Sequence, residues 1–327
     1  MILVLRALGV GDLAAAVPAL RGLRAGLPGR ELVLAAPAWL APLADLVGVV
    51  DRVLPTDGLA DRPSWSIPPP EVAVNLHGQG PRSHRMLAAT RPGRLLAFAN
   101  AVAGHAGGPA WHDDEHDDEH EVRRWCRLLH WYDLPADPAD LALRRPPMPG
   151  HPAAATVLHP GSKIPAKRWP AERFAALART LTGRGHRVVL TGSADERDLA
   201  CRVARGAGLP PDGVLAGRTD LAELAALVAD ARLVVSGDTG VAHLATGYGT
   251  PSVVLFGPEP PARWGPPADR PRHRVLGVTR RAESDRHRHG SGGEGIHPTL
   301  AAIGVDEVLA AVDDVEWTVR GSGAVAA

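Results

Sequence analysis

The chain has 327 residues, of which 45% are apolar and 22% charged. That composition belongs to a globular protein with room for two α/β domains and excludes a disordered chain. The 36 lysines and arginines balance 36 aspartates and glutamates, so the basic excess of a nucleic-acid-binding protein is absent. The two cysteines, Cys126 and Cys201, give no disulfide framework or cysteine zinc site and suit a reducing cytoplasm.

Met1–Leu5 predicts a buried strand, followed by a glycine-containing loop and a helix from about Asp12 to Ala25. Arg6 and Asp12 interrupt the apolar N-terminus, unlike a signal peptide. No run approaches the ~18 apolar residues of a membrane span, so any membrane contact is expected to be peripheral. Strands are predicted at Glu31–Ala35, Asp51–Leu54 and Glu71–Leu76, with a short helix at Trp39–Leu46. Val122, Trp125, Leu128 and Leu129 have helical spacing over Glu121–Tyr132. Proline crowds the chain from Pro135 to Pro152, which reads as a linker between domains 1–150 and 151–327. A second α/β series follows, with strands at Thr156–His159, Arg187–Thr191, Leu233–Ser236 and Ser252–Phe256. Its helices are predicted at Ala171–Arg184, Asp195–Ala207, Leu221–Ala229, Val241–Gly247 and Val305–Val312. The polar, glycine- and histidine-rich tract from Arg280 to Gly295 reads as a mobile loop. This alternation predicts parallel, doubly wound sheets.

Several segments carry chemistry. In Ser236-Gly-Asp-Thr-Gly-Val-Ala-His243 a strand ends in an acidic turn and a helix begins near Thr239. Unpaired N–H groups at a helix start attract anions. His243 lies one turn in on a face that reaches the same anion, and Gly240 allows close approach to the backbone. The plainer role for Asp238 or Thr239 is an N-cap, which leaves His243, Pro251 and Phe256-Gly-Pro258 without a reason. In His159-Pro-Gly-Ser-Lys-Ile-Pro-Ala-Lys167-Arg-Trp-Pro170, Gly161 and Ser162 offer a backbone N–H and a hydroxyl to phosphate, and Lys167 offers a compact charge. Lys163 and Lys167 are the two lysines of a chain whose other cations are arginines.

Gly9-Val-Gly-Asp12-Leu-Ala14 matches the dinucleotide fingerprint loosely. The second strand, however, ends in Ala35-Ala36-Pro37, without the acidic ribose partner of an NAD site. Asp12 is therefore either an N-cap or a reactive carboxylate. His112, His116 and His120 with the intervening acids have metal-like spacing. The same acids suit the start of the helix at Glu121, where negative charge complements the dipole, and no metal site is expected there. Arg82, His84, Arg85, Arg91 and Arg94 form a basic helical stretch that either meets an anionic acceptor or is plain surface.

Together these motifs resemble glycosyltransferase family 9, the ADP-heptose:lipopolysaccharide heptosyltransferases. The resemblance is carried by Gly11-Asp12 with Pro18-Ala-Leu20, by Lys167-Arg-Trp-Pro170, by Asp238-Thr-Gly-Val-Ala-His243, and by Gly249-Thr-Pro251 through Phe256-Gly-Pro258. Asn75-Leu-His-Gly78 and His120-Glu-Val122 are weaker echoes. The resemblance implies a GT-B architecture: two Rossmann-like domains with parallel sheets facing across a cleft, the acceptor on the N-terminal and the donor on the C-terminal domain. It implies Asp12 as catalytic base, Ser162 and Lys167 as phosphate contacts, Glu196 as a ribose contact, and Asp238, Thr239, Gly240 and His243 as the donor-binding motif. The implied enzyme is cytoplasmic, with any membrane contact peripheral at the inner face. It is inverting and metal-independent, needs no cofactor beyond an ADP-sugar donor, and acts on a cell-envelope glycan or glycolipid. The alternatives are a sugar-nucleotide epimerase of the same architecture and a non-catalytic nucleotide-binding protein.

Overall fold

The computed structural model describes residues 1–60, 63, 65–112, 118–149, 151–277 and 295–325. The chain divides into two compact units, Met1–Arg144 and Arg145–Ala327, the division falling inside the proline-rich stretch.

The first unit carries a parallel sheet of β1 (Ile2–Leu5), β2 (Leu32–Ala36), β3 (Arg52–Pro55), β4 (Val72–Asn75) and β5 (Arg94–Leu96), in the order β3-β2-β1-β4-β5. β1, β2 and β4 are buried along their whole length. Strands covered on both faces are mainly apolar, which is why they read as near-continuous hydrophobic runs, with the buried Asn75 ending β4. The helix predicted from Asp12 to Ala25 is two helices, α1 (Val10–Ala15) and α2 (Val17–Gly26). Pro18 starts the second; it has no N–H to give the residue four back, and its ring crowds that carbonyl. α3 (Ala41–Val47), α4 (Arg82–Ala88) and α5 (Glu121–Trp131) complete the unit. The basic stretch from Arg82 to Arg94 is not one helix: α4 ends at Ala88 and Arg94 opens β5.

The second unit repeats the plan. Its parallel sheet comprises β6 (Thr156–His159), β7 (Val188–Leu190), β8 (Leu233–Gly237), β9 (Ser252–Leu255) and β10 (His273–Leu276), in the order β10-β9-β8-β6-β7. Around it lie α6 (Ala171–Gly183), α7 (Arg197–Ala207), α8 (Leu221–Ala229), α9 (Gly240–Tyr248), the single turn α10 (Pro261–Trp264), α11 (Pro298–Ala302) and α12 (Val305–Val325). The last runs well beyond the predicted Val312. The core joins Leu158, Val235, Val253 and Leu255 of the sheet to Phe174, Leu177, Val203, Val308 and Val312 of the helices. No described helix is long and apolar enough to cross a membrane. The tract predicted to be a loop from Arg280 to Gly295 falls outside the described residues up to position 294, as do residues 113–117 of the His/Asp/Glu segment.

Each sheet has a point where the chain reverses direction across it. In the first unit β2 and β4 flank β1, and in the second β7 and β8 flank β6. Open α/β sheets bind ligands outside the carboxyl ends of the strands at such points. The motifs singled out in the sequence follow β1 and β4 in one unit, and β6 and β8 in the other.

Candidate functional site

In the second unit the turn after β6 and the turn after β8 meet. Lys167 ends a 3-10 turn at Pro165–Lys167, and Asp238 follows β8 directly. The Lys167 Nζ donates to Asp238 Oδ2 at 2.7 Å, with side chains only 15% and 7% exposed. Such a pair is costly to desolvate, so its geometry must be well held. Gly237 provides one reason it is: a Cβ there would stand 3.0 Å from the Lys167 carbonyl oxygen. Trp169, 2% exposed, packs edge-on against Phe174 and donates to the Ile303 carbonyl at 3.1 Å. That anchors the loop just beyond the lysine.

Thr239 is the N-cap residue of α9, but its side chain makes no capping bond. Its Oγ1 is buried and finds no partner among the described residues. A buried hydroxyl without a partner costs about 1–3 kcal/mol, and the sheet end and helix start beside it make that position suited to a ligand oxygen. Gly240 is the first residue of α9, and His243 stacks edge-on with Trp264 at 5.9 Å between centroids.

Ser162 is 7% exposed, and its Oγ accepts from the Ile164 N–H at 3.2 Å. Arg168 Nε donates to the Ser162 carbonyl at 2.8 Å. Glu196 closes a capping box with Ser193, accepting from its N–H at 2.8 Å. The Glu196 carboxyl lies so close over Gly161 that a Cβ there would fall 2.2 Å from it. Glu196 therefore stands at the end of β6, beside the loop that carries Ser162. It also faces His159, which is buried, bonded to Thr191 Oγ1 at 3.0 Å, and held neutral because desolvation outweighs the carboxylate's attraction.

In the first unit Asp12 is the third residue of α1 and accepts from the Gly9 N–H at 3.0 Å. The N-cap is therefore Gly9 and not Asp12, which returns a bond to it from inside the first turn, and the Asp12 side chain remains 30% exposed. Behind it lies a group the sequence did not single out. Arg6, 1% exposed, donates from Nε to the Asp12 carbonyl at 3.0 Å and stands 3.5 Å from Asp12 Oδ1. His77, after β4, completes the surroundings. Burial first, then the Arg6 charge, pushes its imidazole down to about 4, against the opposing pull of Asp12. Its Nδ1 is buried and finds no partner among the described residues. The signal missed for Arg6 was a charge placed directly after four buried apolar residues.

The weaker echo Asn75-Leu-His-Gly78 is structural in part. Asn75 Nδ2 donates to the Gly78 carbonyl and Ser83 Oγ at 3.1 and 3.0 Å, while its Oδ1 accepts from the His77 N–H at 3.1 Å. His84 leaves the basic stretch: it is 1% exposed and bonds the Phe98 carbonyl at 2.8 Å. Arg82, Arg85, Arg91 and Arg94 are exposed. His120 caps α5, its Nδ1 accepting from the Val122 N–H at 3.2 Å. No cluster of metal-ligating side chains occurs among the described residues.

The family model for glycosyltransferase family 9 (heptosyltransferase) matches residues 109–292, more than half of the chain; the match includes the Lys167 and Asp238 turns and starts after Asp12. Lipopolysaccharide heptosyltransferase 3 of Escherichia coli is 38% identical over 112 residues, 34% of this chain and 33% of that protein. Lipopolysaccharide heptosyltransferase 1 of Pseudomonas aeruginosa is 40% identical over 139 residues, 41% of this chain and 38% of that protein. The chain thus matches little more than a third of these curated relatives' length. Across the whole fold, the solved E. coli ADP-heptose lps heptosyltransferase II superposes with a TM-score of 0.73 at 22% identity, covering 98% of this chain and 99% of that one.

Proposed function

Because the chain belongs to glycosyltransferase family 9 (heptosyltransferase), we propose that it transfers a heptose-type sugar from an ADP-sugar donor to a cell-envelope glycan or glycolipid of the lipopolysaccharide-core kind. The observation that carries this reading is the buried Lys167–Asp238 pair beside the uncapped start of α9. A cation, a partnerless hydroxyl and helix N–H groups together suit a diphosphate. The names of the matched relatives suggest the donor and acceptor class.

The reaction is a single displacement with inversion. The acceptor hydroxyl oxygen bonds to the anomeric carbon as the bond from that carbon to the diphosphate breaks; the hydroxyl proton passes to Asp12, and ADP departs. Lys167, Ser162, Thr239, Gly240 and His243 stabilise the charge that develops on the diphosphate. Asp238 holds the Lys167 ammonium and faces sugar hydroxyls, since it would repel phosphate. Glu196 accepts from the ribose. These groups neutralise the leaving diphosphate without a divalent metal. The exposed Arg82, Arg85, Arg91 and Arg94 favour an anionic acceptor presented at the cytoplasmic surface of the membrane.

Calorimetric titration with a panel of nucleotide sugars tests the reading. ADP-heptose and ADP should bind well ahead of UDP- and GDP-sugars, and ADP should be released from ADP-heptose only when an acceptor is present. Preference for a UDP-sugar, or turnover of the donor to an epimer without acceptor, would favour the epimerase instead.

A further inference from the structure

Glu121 lies 115 positions after Arg6, yet the two side chains meet in the interior of the first unit. Arg6 Nη2 donates to Glu121 Oε1 at 3.2 Å, and the guanidinium carbon lies over the Trp125 ring, 4.7 Å from its centroid. Glu121 is itself fully held: Oε1 accepts from Trp125 Nε1 at 2.9 Å, and Oε2 accepts from Arg124 Nη1 at 2.6 Å. The other Arg6 donors are spent on the chain around Asp12, with Nε on the Asp12 carbonyl and Nη1 on the Leu76 carbonyl. The guanidinium thus ties the α1 turn to the end of β4. Nη2 is directed to Glu121, while the Asp12 carboxylate stands slightly farther from it at 3.5 Å.

This arrangement resolves a conflict. A proton acceptor needs a fixed position, and a planar five-donor fork provides one. An unbalanced cation at that range would also hold the carboxylate ionised and weaken it as a base. A second carboxylate at the same Nη2 shares that charge. We infer that Arg6 and Glu121 form a positioning pair for Asp12, in which Arg6 fixes the turn that carries the carboxylate and Glu121 shares the guanidinium charge with it. The inference rests on the reading of Asp12 as the base. It accounts for His120-Glu-Val122, which the donor chemistry leaves unused: His120 caps α5 so that Glu121 enters the interior at its first residue. His77 also faces Asp12 and is uncharged above about pH 5, because its pKa lies near 4.

The test measures kcat, KM for ADP-heptose, ADP affinity and the pH profile in Glu121→Gln and Arg6→Lys, with circular dichroism and thermal melting as controls for folding. Glu121→Gln removes the carboxylate that Arg6 and Arg124 share; Arg124 keeps Glu119 at 3.3 Å, and the Arg6 charge falls on Asp12. Its kcat should fall three- to tenfold while KM and ADP affinity hold, and the acid limb of its profile should move down by about one pH unit, the scale of a nearby unbalanced charge. Arg6→Lys keeps the charge and loses the fork, so kcat should fall at least tenfold with the acid limb unmoved. If Glu121→Gln does not fold, Arg6→Lys decides. A folded variant with wild-type kcat and profile in either case overturns the inference, as does a loss in Glu121→Gln that lowers ADP affinity equally and leaves the limb in place. Asp12→Asn separates the two readings. Wild-type turnover in Asp12→Asn would remove the base assignment itself, whereas an inactive Asp12→Asn beside unaffected Glu121→Gln and Arg6→Lys removes only the positioning pair.

Discussion

Replacing Lys167 by alanine should weaken ADP binding by roughly one to two orders of magnitude. The ammonium is 15% exposed and sits 2.7 Å from a carboxylate that is 7% exposed, so its bond to a diphosphate forms in a poorly hydrated place. A charge-assisted hydrogen bond there is worth about 1.5–3 kcal/mol, which corresponds to ~10- to 150-fold in Kd. The truncation also leaves Asp238 unbalanced beside the anion, and its repulsion pushes the loss toward the upper end of that range. Two further variants sharpen the test. Lys167→Arg should recover only part of the affinity, because the planar fork is larger than the point charge. Lys167→Ala combined with Asp238→Asn should bind ADP more tightly than Lys167→Ala alone, since the repelling charge is gone, with coupling on the order of 0.5–3 kcal/mol. Breaking a largely buried pair also costs stability, about 3 kcal/mol or less given the residual exposure of the lysine, so melting curves must accompany the titrations. Calorimetry with ADP at about 0.15 M ionic strength reads the result without undue weight on surface charge. Equal ADP affinity in folded wild type and Lys167→Ala would refute the diphosphate assignment and reduce the pair to a clasp between two turns.

Three other outcomes are expected. Asp12→Ala should keep ADP affinity within a few-fold and lower turnover on the order of 10²-fold or more, the usual scale for a positioned base; unchanged turnover would leave Asp12 as a cap on α1. Activity should survive EDTA, and joint substitution of His112, His116 and His120 should leave turnover within a few-fold; loss in EDTA restored by Mn²⁺ or Mg²⁺ would move the leaving-group chemistry to a metal. Stability should fall as the pH drops from about 6.5 to 4. Burial lowers His273 to about 4, so in that window the unfolded chain binds a proton that the folded one refuses, and folding loses up to roughly 3 kcal/mol for this residue. A plot of Tm against pH should flatten in His273→Gln, and an unchanged slope would assign the acid sensitivity elsewhere.

The elements read most directly from the sequence were those buried on both sides. β1, β2, β4, β6, β8 and β9 are short, mainly apolar runs, and burial admits a polar residue such as Asn75, Thr156 or Ser252 only where it finds a hydrogen-bond partner. Two of the four outer strands, β5 and β10, escaped notice for the opposite reason. β5 is Arg94-Leu-Leu96 and β10 is His273-Arg-Val-Leu276. Each borders only one strand, so solvent admits the charge that disguises it.

The donor-side motif was legible because its parts are local. A strand end, an acidic turn and a helix start follow one another within eight residues, and their chemistry comes from backbone geometry that any such sequence adopts. That Lys167 and Asp238 touch was not legible, since they lie 71 positions apart and meet only because β6 and β8 are neighbours in the sheet. The same holds in the first unit. Asp12 stands out in its turn, but the sequence could weigh it only as a cap or a carboxylate. What surrounds it is decided by β1 lying beside β4, which brings His77 near, and by α5 packing against α2, which carries Glu121 to Arg6. Local sequence determines which groups each turn offers. The partners that set their charge, burial and orientation arrive from distant positions, and only the packing of strands and helices selects them.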